Sequence, residues 1–194
     1  MKRGWMIFLG VVAVLVIGCF MVFGSYVTAR NTMVAKDQFI KNAWAEIDVD
    51  LQRRIDLIPN LVETVKGYTK EEQTVLTNIA QARSGLLQAQ TPGEKAAAND
   101  RLNVSILPLM RLQEAYPELK SNEQFMRLQD ELAGTENRIA VARKRYNDAL
   151  TDYNIFIKQF PNNIWANISG YRENDAFFQS SAAAKEAPKV DFSH

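Results

Sequence analysis

The sequence predicts an all-α protein: an N-terminal transmembrane helix, then an antiparallel up-and-down four-helix bundle with an extended C-terminal tail. Three observations carry this. Residues 5–24 form an apolar block without a charge. Beyond it, apolar residues recur at three- and four-residue steps, the mark of one buried stripe on a helix. Glycine and proline, 9 and 6 in 194 residues, cluster where helices should end, which disfavours a sandwich or barrel. The chain therefore divides into an anchor (1–30), a bundle (31–160) and an aromatic-containing tail (161–194).

The anchor reads WMIFLGVVAVLVIGCFMVFG, about 20 residues, enough to cross roughly 30 Å of hydrocarbon as a helix. Trp5 and Tyr26 stand at its ends, where amphipathic rings favour the headgroup zone. A cleaved signal would need a shorter apolar core. Val16-Ile17-Gly18-Cys19 is similar to a lipobox, which would place a lipid on Cys19, but Phe20-Met21-Val22-Phe23 continues the apolar run. Lys2 and Arg3 precede the block, and Arg30, Lys36 and Lys41 follow it, so charge does not decide orientation.

The first helix carries Ile40, Trp44, Ile47, Leu51, Ile55 and Ile58 on one stripe, continuing from the anchor. Its reversal is placed at Pro59, because proline lacks the N–H and crowds the preceding turn. The rival break is Gly67, followed by Thr69 and Glu72 at capping-box spacing. The second helix runs to about Ala89, with Leu61, Val65, Val75, Leu76, Ile79, Leu86 and Leu87 as core candidates. Thr91, Pro92 and Glu94 open the third by a capping box with proline at the first helical position. It buries Leu102, Ile106, Leu109 and Met110, should kink at Pro108, and stops before Tyr116-Pro117.

Ser121 and Gln124 cap the fourth helix. Phe125, Leu128, Leu132, Thr135, Ile139, Ala142, Tyr146, Ala149, Tyr153, Phe156 and Phe160 then alternate three- and four-residue steps. A period of 3.5 makes this a coiled-coil-like core seam. Short loops make successive helices antiparallel, which returns the tail to the bilayer. Trp165, Tyr171, Phe177 and Phe178 then either pack on the bundle base or sit in the interface, and residues 180–194 should be partly mobile.

Residues 44–68, WAEIDVDLQRRIDLIPNLVETVKGY, resemble the signature of the LemA family. So do Tyr116-Pro117-Glu118-Leu119-Lys120, Leu128-Gln129, Gly134-Thr135-Glu136-Asn137-Arg138-Ile139-Ala140, Ala142-Arg143, Tyr146-Asn147, Tyr153-Asn154 and Phe160-Pro161. The resemblance covers about residues 25–178, in the family's order. It implies a bacterial membrane protein with one N-terminal helix and a soluble four-helix bundle, without assigned enzyme activity or accepted catalytic residues. Some relatives are associated with membrane organisation, including magnetosome membranes. Pro108 departs from the family, whose members carry a helix-compatible residue there.

Chemistry is sparse. The only histidine is His194 and the only cysteine is Cys19, so no Glu-x-x-His di-iron pair or intrachain disulfide can form. No P-loop, dinucleotide fingerprint, nucleophile elbow or metalloprotease helix occurs. Lys plus Arg (23) balances Asp plus Glu (22), which argues against nucleic acid. No cofactor, metal or small-molecule substrate is expected. Two polar groups stand out: Arg53, Arg54, Asp56 and Asn60, then Glu136, Asn137, Arg138 and Arg143. Arginines there could take a phosphate or partner carboxylate, or else fix the packing of neighbouring helices. Trp5, Tyr26, Trp165, Phe177 and Phe178 are the candidate membrane-interface residues. The expectation is a single-pass scaffold of the bacterial inner membrane, its bundle on an undetermined side. It would act on the lipid bilayer as a homo-oligomer, or as an adaptor for one partner protein.

Overall fold

A computed structural model describes residues 2–66 and 73–178. Among these there are six helices and no strand: α1 (Lys2–Lys66), α2 (Gln73–Gln88), α3 (Pro92–Ala115), α4 (Pro117–Lys120), α5 (Glu123–Lys158) and α6 (Asn162–Ser169). The chain forms two compact units, one of Met1–Lys41 with Asp148–Asp175, the other of Asn42–Asn147 with Ala176–His194.

In the first unit, no residue of the apolar block of α1 is buried, and α1 is the one described helix long and apolar enough to cross a membrane. From Ala29 onward the helix gains a buried side, with Met33 and Ile40 against a core that includes Leu150, Tyr153, Ile157 and Ala166. α6 lies in the stretch that the sequence assigns to the tail. It ends at Gly170, whose φ of 77° is the left-handed conformation that favours glycine. Tyr171 N–H then donates to the Ala166 carbonyl at 2.9 Å, so the last turn is closed as a Schellman motif.

In the second unit, Ile47, Leu51, Ile55, Ile58, Leu61 and Val65 of α1 pack into a core with Ile79, Leu86, Leu102, Ile106, Leu109, Leu119, Phe125, Leu128, Leu132 and Ile139. The expected capping box of α3 is present: Glu94 N–H donates to Thr91 Oγ1 at 3.2 Å, and Glu94 Oε2 accepts from Thr91 N–H at 3.0 Å. Those backbone donors, with that of Gln90, hold the Glu94 carboxyl below its usual range.

The expected reversal at Pro59 does not occur. α1 passes through Pro59 and ends at Lys66, beside Gly67; the Gly67–Thr69–Glu72 alternative falls on residues 67–72, outside the described residues. An interior proline costs ~3 kcal/mol. Ile58, Leu61 and Val65, each at most 1% exposed, return about 1.5–3 kcal/mol apiece on burial, so packing wins. The proline also deprives the Ile55 carbonyl of its donor, and Arg83 Nε on α2 supplies one at 3.0 Å. Leu61 and Val65 thus belong to α1 and not to the second helix.

Other expectations shift by a turn or less. Leu87 is 51% exposed while Leu86 takes the buried position. The cap of α5 is Asn122, whose Oδ1 accepts from Phe125 N–H at 3.0 Å; Ser121 instead closes α4. Pro108 sits inside α3, which runs on to Ala115. The seam of α5 is buried as expected from Phe125 to Tyr153, then advances one residue, so Leu150, Asn154 and Ile157 are buried and Phe160 is 80% exposed. An α-helix repeats every 3.6 residues and drifts off a strict 3.5 pattern in this direction.

Arg83→Ala should cost about 1–3 kcal/mol in urea unfolding, the loss of the donor to a half-buried carbonyl. In a Pro59→Ala background, where the helix regains its own N–H, the same substitution should cost less than about 1 kcal/mol. Equal costs in both backgrounds would show that Arg83 does not act through the proline gap.

Candidate functional site

Within the second unit, charges on α1 meet partners on α3 and α5. Glu46 pairs with Arg145 (3.2 Å), Asp48 with Lys95, and Asp50 with Arg138 (3.2 Å). These pairs are partly or largely solvated, so each is worth at most about 1 kcal/mol.

One link is different. Arg54 is 4% exposed, yet carries a full charge. Its Nη1 donates to Glu136 on α5 and its Nη2 to Asn103 Oδ1 on α3. Asn103 Nδ2 donates in turn to Glu136 Oε1 at 3.1 Å, closing a ring across three helices. Burial holds the guanidinium pKa below its ordinary value, and the charge and hydrogen bond of Glu136 offset only part of that. Asp100 and Arg143 lie close enough to act on the same charge.

Arg143 extends the group: Nη1 stands 3.6 Å from Asp100 Oδ1, and the guanidinium lies over the Phe178 ring at 5.3 Å. Phe178, Trp44 and Tyr146 form a three-ring cluster with centroids 5.5–5.8 Å apart. Lys95 caps the Trp44 face at 5.5 Å. A cation over each outer ring is the favourable placement for the ring quadrupole.

The backbone of Phe178 is held by one side chain. Asn147 Nδ2 donates to its carbonyl and Asn147 Oδ1 accepts its N–H, both at 2.9 Å. In the first unit Asn154 does the same for Asn174, at 2.9 and 3.0 Å. Tyr153 Oη donates to the Arg172 carbonyl at 2.9 Å. Burial first, then the charge of Asp37, holds the Tyr153 phenol above its ordinary pKa, which keeps it a donor. The repeated Tyr-Asn pairs, one heptad apart on α5, therefore fasten residues 171–178, which form no regular secondary structure of their own.

The sequence-derived candidates separate clearly. Arg54, Glu136 and Arg143 come together. Arg53 is exposed and only 3.8 Å from Glu131 at best. Asp56 accepts from Gln52 on its own helix at 2.9 Å, Asn60 lends its carbonyl to Thr64 at 2.8 Å, and Asn137 is exposed. Arg138 makes the surface pair with Asp50. Asn103 and Asn147 complete the arrangement of the second unit, and Asn154 holds its own segment in the first. Only the last two carried a sequence signal, their repeat after tyrosine.

The aromatic candidates also divide. Trp5 is 64% exposed on the apolar block. Tyr26 and Trp165 meet edge to face with centroids 5.5 Å apart, and Trp165 Nε1 donates to Ser25 Oγ at 3.3 Å. Phe177 is half-buried. Phe178, grouped above with the interface residues, is only 7% exposed and belongs to the aromatic cluster; ring contacts on two sides hold it in protein. Residues 180–194, expected to be mobile, lie outside the described residues.

Glu136→Ala should destabilise by about 3–5 kcal/mol, because it strands a buried guanidinium. Arg54→Met should cost less, about 1–2 kcal/mol, since methionine fills the space and the half-exposed carboxylate of Glu136 can turn to water. Denaturant unfolding of both variants checks the order, and a larger cost for Arg54→Met would contradict the buried-charge account.

The chain is similar in sequence to three relatives. Protein LemA of Metamycoplasma hominis is 28% identical over an alignment of 186 positions, covering 92% of this chain and 78% of that one. Magnetosome protein MamQ 2 of Paramagnetospirillum magneticum is 24% identical over 178 positions, covering 78% of this chain and 65% of that one. Magnetosome protein MamQ of Magnetospirillum gryphiswaldense is 22% identical over 164 positions, covering 71% and 60%. The chain thus spans less than two thirds of the length of these magnetosome relatives. The LemA family model matches residues 43–192, a stretch that contains Arg54, Asn103, Glu136, Arg143 and both Tyr-Asn pairs, and the chain belongs to the LemA family.

Proposed function

We propose that this protein is a non-enzymatic, single-pass scaffold of the bacterial inner membrane, which self-associates and organises the membrane around it. The observation that carries the reading is the division of labour along α1: an exposed apolar block followed, in the same helix, by a face tied into protein through Arg54. Such a helix turns its first part to lipid and presents a built body next to it. The names of the magnetosome relatives favour a membrane role over a soluble one.

The interaction surface is then the outside of an antiparallel four-helix bundle. Partner order supports that topology, since Glu46, Asp50 and Arg54 rise along α1 while Arg145, Arg138 and Glu136 fall along α5. Val49, Val104, Leu107 and Val141 are each at least 53% exposed and give that surface apolar points of contact. The Arg54 ring fixes the register of the helices and takes no part in chemistry.

Carbonate-washed membranes should retain the full-length protein, and mass photometry in detergent should show a defined homo-oligomer larger than a dimer. Release by carbonate would overturn the anchor. A clean monomer would overturn the scaffold in favour of an adaptor that binds a single envelope partner.

A further inference from the structure

The fold leaves one apolar face uncovered beside the exit of the anchor. Phe160, Ile164 and Ile168 follow at four-residue steps and are 80, 45 and 66% exposed. Ile164 and Ile168 share a side of α6, and Phe160 leads into it. The opposite side belongs to the protein, where Ala166 is buried at 3% exposure and Trp165 is half-buried. Asn163 and Asn167 flank the isoleucines on the side away from Trp165, so the apolar strip has a polar edge.

The level of this helix relative to a bilayer follows from its tether. Trp165 packs on Tyr26 and donates to Ser25, the first two residues after the apolar block of residues 5–24. Twenty helical residues rise ~30 Å, the thickness of the hydrocarbon core. When the block spans, Ser25 and Tyr26 stand at the headgroups, and α6 stands there with them. An amphipathic helix at that level puts its apolar side into the boundary between headgroups and acyl chains.

We propose that α6 is an interfacial helix that inserts Phe160, Ile164 and Ile168 into the same bilayer the anchor crosses, with Trp165 as its tether and not its inserted ring. The inference rests on the anchor reading of α1, and it adds a second lipid contact. That contact restrains rotation and tilt of the protein about its single span, which one helix alone leaves open.

The test uses full-length Cys19→Ala protein carrying Ile164→Cys, Ile168→Cys or, as an exposed apolar control outside the proposed contact surface, Leu87→Cys. Each is spin-labelled in nanodiscs of phosphatidylcholine and phosphatidylglycerol. Relaxation by oxygen, which partitions into lipid, is compared with relaxation by a water-soluble nickel chelate. The expected result is an oxygen-to-nickel ratio several-fold higher at 164 and 168 than at 87. Water-like ratios at 164 and 168 would overturn the proposal, and so would exclusion of both reagents, which would mean that protein covers the face. Carbonate extraction of the same variants separates the two claims: retention with water-like labels sinks the interfacial helix alone, whereas release sinks the anchor with it.

Discussion

On the proposed reading, in which the apolar block spans a bilayer, one backbone has to satisfy two solvents. Within hydrocarbon no water is available to an exposed N–H or carbonyl, so a spanning segment must close every hydrogen bond within itself, which a helix does. α1 stays helical from Lys2 to Lys66, its backbone bonds closing within it except where Pro59 removes a donor. What changes along it is only the side-chain pattern. Apolar residues surround the helix in the anchor and shrink to one stripe from Ala29 onward, where Met33, Ile40, Ile47 and Leu51 turn inward. The remaining elements answer the needs of that helix. α2 supplies Arg83 where Pro59 removes a donor, α3 supplies Asn103 and Lys95, and α5 supplies Glu136.

Apolar stripes attract one another without saying which turn should meet which. A slide of one helical turn would bury nearly the same area, so the hydrophobic effect alone specifies register poorly. A buried guanidinium with two named partners does specify it, because a slipped register leaves a charge without a ligand in a dry place. Arg54 has this role in the second unit. Asn147 and Asn154 apply the same logic to an extended segment: each amide presents one donor and one acceptor, which matches a single backbone residue. Two such pairs, rather than any regular secondary structure, fix residues 171–178.

The elements legible in the sequence were those with long periodic evidence of burial. The α5 stripe from Phe125 to Tyr153, the capping box at Thr91 and the uncharged anchor all follow from patterns local to the chain. Three kinds of feature did not. Tertiary packing overrode a local breaker at Pro59, and no local rule announces that a guanidinium 24 residues later will cap the lost carbonyl. α4 and α6 are too short for a periodicity to emerge. Asn103 looks like any other asparagine on a helix surface until Arg54 and Glu136 are placed beside it. Of the polar candidates Arg54, Glu136 and Arg143 meet, while Arg53, Asp56, Asn60, Asn137 and Arg138 lie apart from them. Sequence spacing puts residues on a face of one helix and is blind to what the facing helix brings.

The continuity of α1 is the claim from which the rest follows, and hydrogen exchange in nanodiscs tests it most directly. Amides from residue 25 through residue 66 should be protected as one stretch, with no gap where the anchor gives way to the packed stripe and none at the residues flanking Pro59. Rapid exchange at residues 25–33, or at 56–62, would show a hinge in place of the helix and contradict the account.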